Sequence, residues 1–245
     1  PLIRVQHHHA HAAACMAEHR LDGPVLGLTW DGTGYGTDGT IWGGEALVCE
    51  GADFTRVAQL RTFARPGGDR AMHQPRRSAL GVLFEILGPA CEPIITEVAA
   101  RSDGDWFEPA ELEILLAMLD RSVQCPRTSS MGRLFDAVAA ICGLPAVTSF
   151  EGQAAMALEF AADAAETGAY PLPLSDDTPA VADWEPLIRA VLADRNAGMP
   201  VGQIAGRFHN ALAELAVTIA RRAGCSQIVL SGGCFQNALL SDRVR

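Results

Sequence analysis

The sequence predicts an α/β fold built as two lobes. Three features carry the prediction. Two strands surround a long glycine-rich turn near the start, a long mostly helical middle follows, and a strand near the end runs into a second glycine turn. With 245 residues, 49% of them hydrophobic, and a mean hydropathy of +0.13, the chain can bury a real core, as one large domain or two compact lobes.

Residues 8–20 read as a helix: they are alanine-rich, Arg20 falls in the last turn, and Asp22, Gly23 and Pro24 end it. Val25 to Trp30 reads as a strand, followed by the polar, glycine-rich segment Asp31 to Gly39. Ile41 to Val48 and Phe54 to Phe63 read as further strands, so the first two form a hairpin with a turn longer than connection alone needs. From Met72 the pattern turns helical. Glu108 to Leu119 is amphipathic, with Leu112, Leu115, Leu116 and Leu119 on one face. Met131 to Cys142, Glu151 to Ala165, Trp184 to Ala197 and Val201 to Ala223 also read as helices, and Pro171 to Pro186, rich in proline and aspartate, as a surface loop or linker. Gln227 to Leu230 is the last strand, leading into Ser231-Gly232-Gly233. Strand-containing parts at about 1–65 and 225–245 thus flank a mainly helical 70–223, with no internal repeat. That order suits an actin-like ATPase fold of the ribonuclease H-like kind, in which two lobes clamp a nucleotide. The chain begins with proline and stops just past a glycine turn, so the fold is expected to be incomplete at both ends.

The bulk numbers exclude several classes. A net charge of −10 argues against a nucleic-acid partner, which requires excess positive charge to displace counterions. All 19 basic residues are arginine, so Schiff-base chemistry and a phosphate-binding lysine are absent, and any phosphate must be held by backbone N–H groups, arginine or a metal. The seven cysteines are scattered and never spaced as Cys-x-x-Cys, which disfavours a disulfide framework or zinc ribbon and fits free thiols in a reducing cytoplasm. No unbroken apolar run in the sequence has the roughly 18 residues of a membrane span, and no signal peptide is visible.

The sharpest motif is Gln6-His7-His8-His9-Ala10-His11. His7 and His11 are spaced i, i+4, which puts both imidazoles on one helix face, where they can converge on one ion. Two histidines do not complete a site, so carboxylates or substrate oxygens must supply the rest. Asp31, directly after a strand and leading into Gly32, Gly34 and Gly36, offers a hard oxygen ligand beside a backbone able to present N–H groups to phosphate, although such glycines also make ordinary turns. Gly232 and Gly233 after the last strand form a second such turn, and Asn237 beyond it has the donors and acceptor to read a base edge; a plain strand-to-helix connection explains them equally well. Asp136, on an otherwise apolar helix, needs a partner if buried: a ribose hydroxyl or Arg133. Glu151 either faces a ligand or simply favours a helix start. Gly67-Gly68-Asp69 and His209-Asn210 read as polar structural spots.

Taken in order, Val5 to His11, Asp31 to Gly36, Ile41-Trp42-Gly43-Gly44-Glu45, Gly67 to Asp69, Gly132 to Ala137, Phe150 to Ala154, Phe208-His209 and Leu230 to Asn237 resemble the C-terminal domain of the HypF-type carbamoyltransferases of hydrogenase maturation, over essentially the whole chain. The resemblance implies transfer of a carbamoyl group from carbamoyl-adenylate, made from carbamoyl phosphate and ATP in an upstream YrdC-like domain, to the C-terminal cysteine thiol of HypE, on the way to the cyanide ligand of [NiFe]-hydrogenase. It implies a divalent metal, Fe or Zn, on His7, His11 and Asp31, with Asn237 at adenine and Asp136 and Glu151 near the nucleoside. His8 or His9 would take the thiol proton. The family's last metal ligand lies in an Asn-Asp-Gly-Gly motif past Arg245, so this piece alone is expected to show weak or no activity. Two alternatives remain at this stage: an O-carbamoyltransferase acting on a small hydroxylated metabolite, and a non-catalytic nucleotide- or metal-binding docking module.

Overall fold

The computed structural model describes residues 4–102 and 106–245, the Asp69 side chain excepted, so the carboxylate noted at Asp69 lies outside the described residues. Helix α1 (His7–His19) starts at Gln6, whose side chain accepts the His9 N–H at 2.8 Å, and ends at Arg20 in a left-handed conformation. Its small residues let it sit directly on strand β1 (Val25–Trp30). A Cβ added at Gly27 would lie 2.8 Å from the Ala12 Cβ. Every residue of β1 is buried, as expected of a strand covered on both faces.

Strands β2 (Gly44–Glu50) and β3 (Asp53–Leu60) continue from β1 as an antiparallel meander. The short β4 (Phe63–Ala64) pairs with β5 (Arg127–Thr128). Strand β6 (Ala180–Ala182) joins the free edge of β3 in parallel, and β7 (Gln227–Ser231) runs parallel to β1, giving a five-stranded sheet of order β6-β3-β2-β1-β7. Strand β6 corrects the expectation of a plain loop or linker across Pro171 to Pro186, and it brings one short strand of the mainly helical middle into this sheet. Three residues are too few to show a period, and their pairing is decided by an edge strand far away in sequence.

The remaining helices are α2 (Pro75–Leu87), α3 (Glu92–Ala100), α4 (Pro109–Asp120), α5 (Met131–Ile141), α6 (Gln153–Ala161), α7 (Glu185–Asn196), α8 (Val201–Ala223) and α9 (Ala238–Val244). The main core lies between the sheet and these helices. Helix α5 is buried along its entire length, which is why its sequence is apolar all round apart from Arg133 and Asp136. A smaller core of Ala12, Met16, Trp42, Leu47 and Val229 fills the space between α1 and the other sheet face. Pro75–Ala100, taken as one stretch, has the length and composition of a membrane span, with a mean hydropathy of 1.5. A 3₁₀ turn at Gly88–Cys91 interrupts it, and α2 packs against α5 with Leu80, Val82 and Leu83 in the core.

Helix α6 is shorter than the expected 151–165. Gly152 takes a left-handed conformation (φ 84°) just before it, which leaves Glu151 in the preceding turn, and Ala162 is extended after it. Glu151 is therefore free to turn toward α5 and the end of β1.

Candidate functional site

Strands β1 and β7 run side by side in parallel, so their carboxyl ends deliver two glycine turns to the same place. This is where ligands settle in open α/β sheets. Asp31 follows the last residue of β1. Its Oδ1 accepts the N–H of Gly32 (2.8 Å) and that of Gly233 (3.3 Å), joining the two turns. Its Oδ2 is directed to helix α1, 3.2 Å from His7 Nε2 and 3.2 Å from His11 Nε2, while the two imidazole nitrogens are 3.2 Å from each other.

Three donor atoms thus form a nearly equilateral triangle. Metal–ligand bonds of about 2.0–2.2 Å at tetrahedral angles place ligand atoms about 3.3–3.6 Å apart, so the triangle fits a small divalent ion, and two imidazoles with one carboxylate suit Zn or Fe(II). Ser231 Oγ lies 3.2 Å from His11 Nδ1 and can fix the tautomer that leaves Nε2 as the ligand atom. Burial alone raises the pKa of Asp31, but N–H groups of Gly32, His7 and Gly233 bind its oxygens and hold it below the ordinary carboxylate range, so it is ionised at neutral pH.

A ring nitrogen of His8 also comes within 4.8 Å of ligand atoms of His7 and Asp31. His8 is nonetheless fully buried, with its Nδ1 3.2 Å from Gln6 Nε2, and burial together with the nearby His7 lowers its pKa to about 4. It is a neutral ring and a weak base. His9 lies about 200° around α1 from His7, buried against Phe54 with ring centroids 4.9 Å apart. Neither ring is on the wall of the adjoining cavity. The geometry therefore disfavours both as proton acceptors for a substrate: helical spacing spreads consecutive histidines over different faces, and it is His7 and His11 whose Nε2 atoms come within 3.2 Å of the Asp31 carboxylate.

That cavity, of about 500 Å³, opens from the Asp31 end of the triangle and is walled by the glycine turns, the start of α5, and helix α6. Ser130 caps α5 by accepting the Arg133 N–H (3.2 Å), and its hydroxyl donates to the Asp31 carbonyl (2.6 Å). Gly132 donates its N–H to the same carbonyl at 3.1 Å. This closeness requires glycine, because a Cβ at Gly132 would sit 2.8 Å from the Gly32 Cα.

Of the expected nucleotide-binding residues, Gly32, Glu151, Gly233 and Asn237 line the cavity. Gly232 does not. Its left-handed backbone (φ 92°) and its tight approach to the Trp30 backbone form the turn that brings Gly233 into place. Gly34 and Gly36 also lie off the cavity: Gly34 presses on the rings of His7 and His8, and Gly36 on Trp42. These glycines serve close packing beside the His7–His11–Asp31 triangle and do not reach the cavity wall.

Asp136 differs from the ribose expectation. It is buried inside α5, with Oδ2 3.1 Å from Arg133 Nη1, and does not line the cavity. Burial raises its pKa to about 6, against the opposing pull of Arg133. Asn237 reaches the cavity wall with its amide largely committed: Oδ1 accepts the Leu240 N–H at 2.8 Å, capping α9, and Nδ2 lies 2.9 Å from His209 Nε2. His209 is fully buried, and burial lowers its pKa to about 4. Its Nδ1 is 2.7 Å from the Ala205 carbonyl, so the neutral tautomer donates there and accepts from Asn237.

Among the wall residues that the sequence did not single out, three bear on what the cavity can hold. Arg133 lines the cavity with a buried guanidinium, held by Asp136 and by Glu151 Oε1 at 3.3 Å. Its signal was a lone cation in an apolar helix, which reads equally as a partner for Asp136. Met156 and Phe160, spaced i, i+4 on α6, line the cavity while remaining 44% and 78% exposed. Their signal was indistinguishable from an ordinary core stripe.

Comparison with known proteins follows this geometry. The family described as carbamoyltransferase, Kae1-like domain, second subdomain, matches residues 27–245. The carbamoyltransferase HypF of Synechocystis is 40% identical over 98% of this chain, and the HypF homolog of Cupriavidus necator is 39% identical over 100% of it. The chain spans 32% of the first of these and 63% of the second. A crystal structure of full-length HypF in the phosphate- and nucleotide-bound form superposes with a TM-score of 0.89 at 40% identity, covering 100% of this chain and 32% of that one. The T. kodakarensis HypF structure gives 0.86 at 32% identity, again over 100% of this chain and 32% of the other. These likenesses bear out the α/β, actin-like expectation. With the family match covering nearly all of it, this chain belongs to the HypF carbamoyltransferase family, matching the second subdomain of its Kae1-like domain.

Proposed function

We propose that this chain forms the acceptor-side site of a HypF-type carbamoyltransferase, passing the carbamoyl group of carbamoyl-adenylate to the C-terminal cysteine thiol of HypE. The observation that carries the reading is the His7–His11–Asp31 triangle opening into a cavity walled by Arg133 and two glycine turns. A bound divalent ion would supply Lewis-acid stabilisation of the adenylate phosphate as charge builds on it. The chain's own residues do the rest. Arg133 and the N–H groups of the glycine turns offer positive charge to phosphate oxygens, and Met156 and Phe160 offer an apolar face to the base at the cavity mouth. In the transfer, the thiol sulfur bonds to the carbamoyl carbon, the bond from that carbon to the phosphate oxygen breaks, AMP leaves with the electron pair, and the thiol proton passes to solvent. Carbamoyl phosphate and ATP enter upstream, in the YrdC-like part of the longer relatives, and the product thiocarboxamide is the precursor of the hydrogenase cyanide.

His7→Ala and His11→Ala, placed in the full-length protein, should each abolish metal content and reduce carbamoylation of a HypE C-terminal peptide to background, read by mass spectrometry. Metal uptake and peptide carbamoylation that survive both changes would overturn the reading.

A further inference from the structure

Glu45, at the end of the Ile41–Glu45 segment, is a fully buried carboxylate around which the site loops are tied. It accepts from Arg56 Nε at 2.5 Å, from the N–H groups of Gly43 (3.2 Å) and Gly44 (3.3 Å), and from the Ser129 hydroxyl. Each partner leads to the site. The Gly43 carbonyl accepts the Asp31 N–H at 2.7 Å and the Met131 N–H at 3.0 Å, so one peptide holds both the metal-binding loop and the first turn of α5. Ser129 immediately precedes Ser130, the cap that bonds the Asp31 carbonyl. Arg56 continues outward to Asp38 Oδ2 (2.9 Å), whose Oδ1 accepts the Trp42 indole N–H (3.0 Å), and its guanidinium lies over the Trp42 ring at 4.1 Å. Asp38 and Trp42 belong to the same loop that begins at Asp31.

The sheet is irregular where this contact forms. Ala46 pairs with Ala58, but Leu47 pairs with Arg56, so Val57 is an extra residue in β3. In an unbroken register Leu47 would face Val57, and Arg56 would project from the opposite side of the sheet to Glu45. The bulge turns Arg56 onto the Glu45 face, as bulges beside functional sites do.

We infer that Glu45, with Arg56 and Ser129, is a positioning residue for the metal centre: it sets the distance between Asp31 and both helix α1 and the start of α5, without touching ion or substrate. The inference rests on the metal reading of His7, His11 and Asp31.

The test is a titration of the full-length protein, freed of metal, with Zn²⁺ against a competing chelator and with Co²⁺ read by its ligand-field absorption, counting the uptake that a His7→Ala, His11→Ala double variant lacks, at a temperature where every variant is folded. Glu45→Gln should weaken Zn²⁺ binding about tenfold or more and alter the Co²⁺ band, an effect of the size seen when outer partners of metal ligands are lost. Ser129→Ala, which leaves no charge unpaired, should weaken it several-fold and decides the matter if Glu45→Gln does not fold. Tyr170→Phe, which loses a hydrogen bond to Asp194 (2.7 Å) outside the site, should bind as the wild type does. Wild-type affinity in Ser129→Ala and in any folded Glu45→Gln overturns the inference alone. A wild-type chain that takes up neither ion overturns the metal reading and this inference with it.

Discussion

The Asn237–His209 contact works only while the imidazole is neutral, because its Nδ1 donates to the Ala205 carbonyl and its Nε2 must accept from the amide. Burial lowers the folded-state pKa of His209 from 6.5 to about 4. For a base with a depressed folded pKa, the unfolded chain takes up a proton first as pH falls. The stabilisation is therefore complete above about 6.5 and drains away down to about 4. His209→Gln removes this titration. The stability gap between wild type and His209→Gln, measured by urea unfolding, should be largest at pH 7 and should shrink by on the order of 2–3 kcal/mol at pH 4. A gap that stays constant with pH would show that the ring is not held neutral. At this scale the convergence of His7, His11 and Asp31 was legible in the sequence, because helical spacing and a post-strand aspartate are local signals. The sequence offered both a ribose hydroxyl and Arg133 as partners for Asp136 without deciding between them, and did not show that Arg133 would also reach the cavity. Side-chain direction on a helix buried all round is decided by neighbours from other parts of the chain.

At the scale of elements, the triangle depends on how closely α1 can approach β1, since one carries the histidines and the other ends at the aspartate. Ala12 on Gly27 sets that approach. In Gly27→Ala the new methyl would lie 2.8 Å from the Ala12 Cβ, closer than carbon atoms pack, so α1 must shift. The change should cost about 1–3 kcal/mol in denaturant unfolding and weaken Zn²⁺ binding. Adding Ala12→Gly should restore the affinity while leaving stability low, because glycine inside a helix costs about 1 kcal/mol. Unaltered Zn²⁺ affinity in Gly27→Ala would show that α1 and β1 tolerate sliding. Long periodic elements such as α8 and the buried strand β1 were legible from pattern, bounds included. Strand β6 and the bulge at Val57 were not: each is a matter of pairing between strands, and period within one segment is blind to it.

For the molecule as a whole, the site is assembled from α1, the ends of β1 and β7, α5 and α6, so a ligand there joins elements from far-apart parts of the sequence. Asp31 belongs to both the triangle and the cavity wall, so an ion held by the triangle would lie beside the phosphate of a nucleotide held in the cavity. A ligand present at about 100 times its dissociation constant adds roughly 2.7 kcal/mol to folding stability. For a domain of this size each kcal/mol is worth about 2–4 °C in melting temperature. Zn²⁺ alone and AMP alone should therefore each raise Tm by roughly 5–10 °C in scanning fluorimetry. Because phosphate oxygens can complete the ion's coordination, the two together should raise Tm by more than the sum of the separate shifts. The His7→Ala, His11→Ala double variant should lose the Zn²⁺ increment and the excess, yet keep the AMP increment, since the cavity walls are untouched. Shifts that merely add in the wild type would place ion and nucleotide at independent positions. The shared Asp31 would then have no part in bringing phosphate to metal.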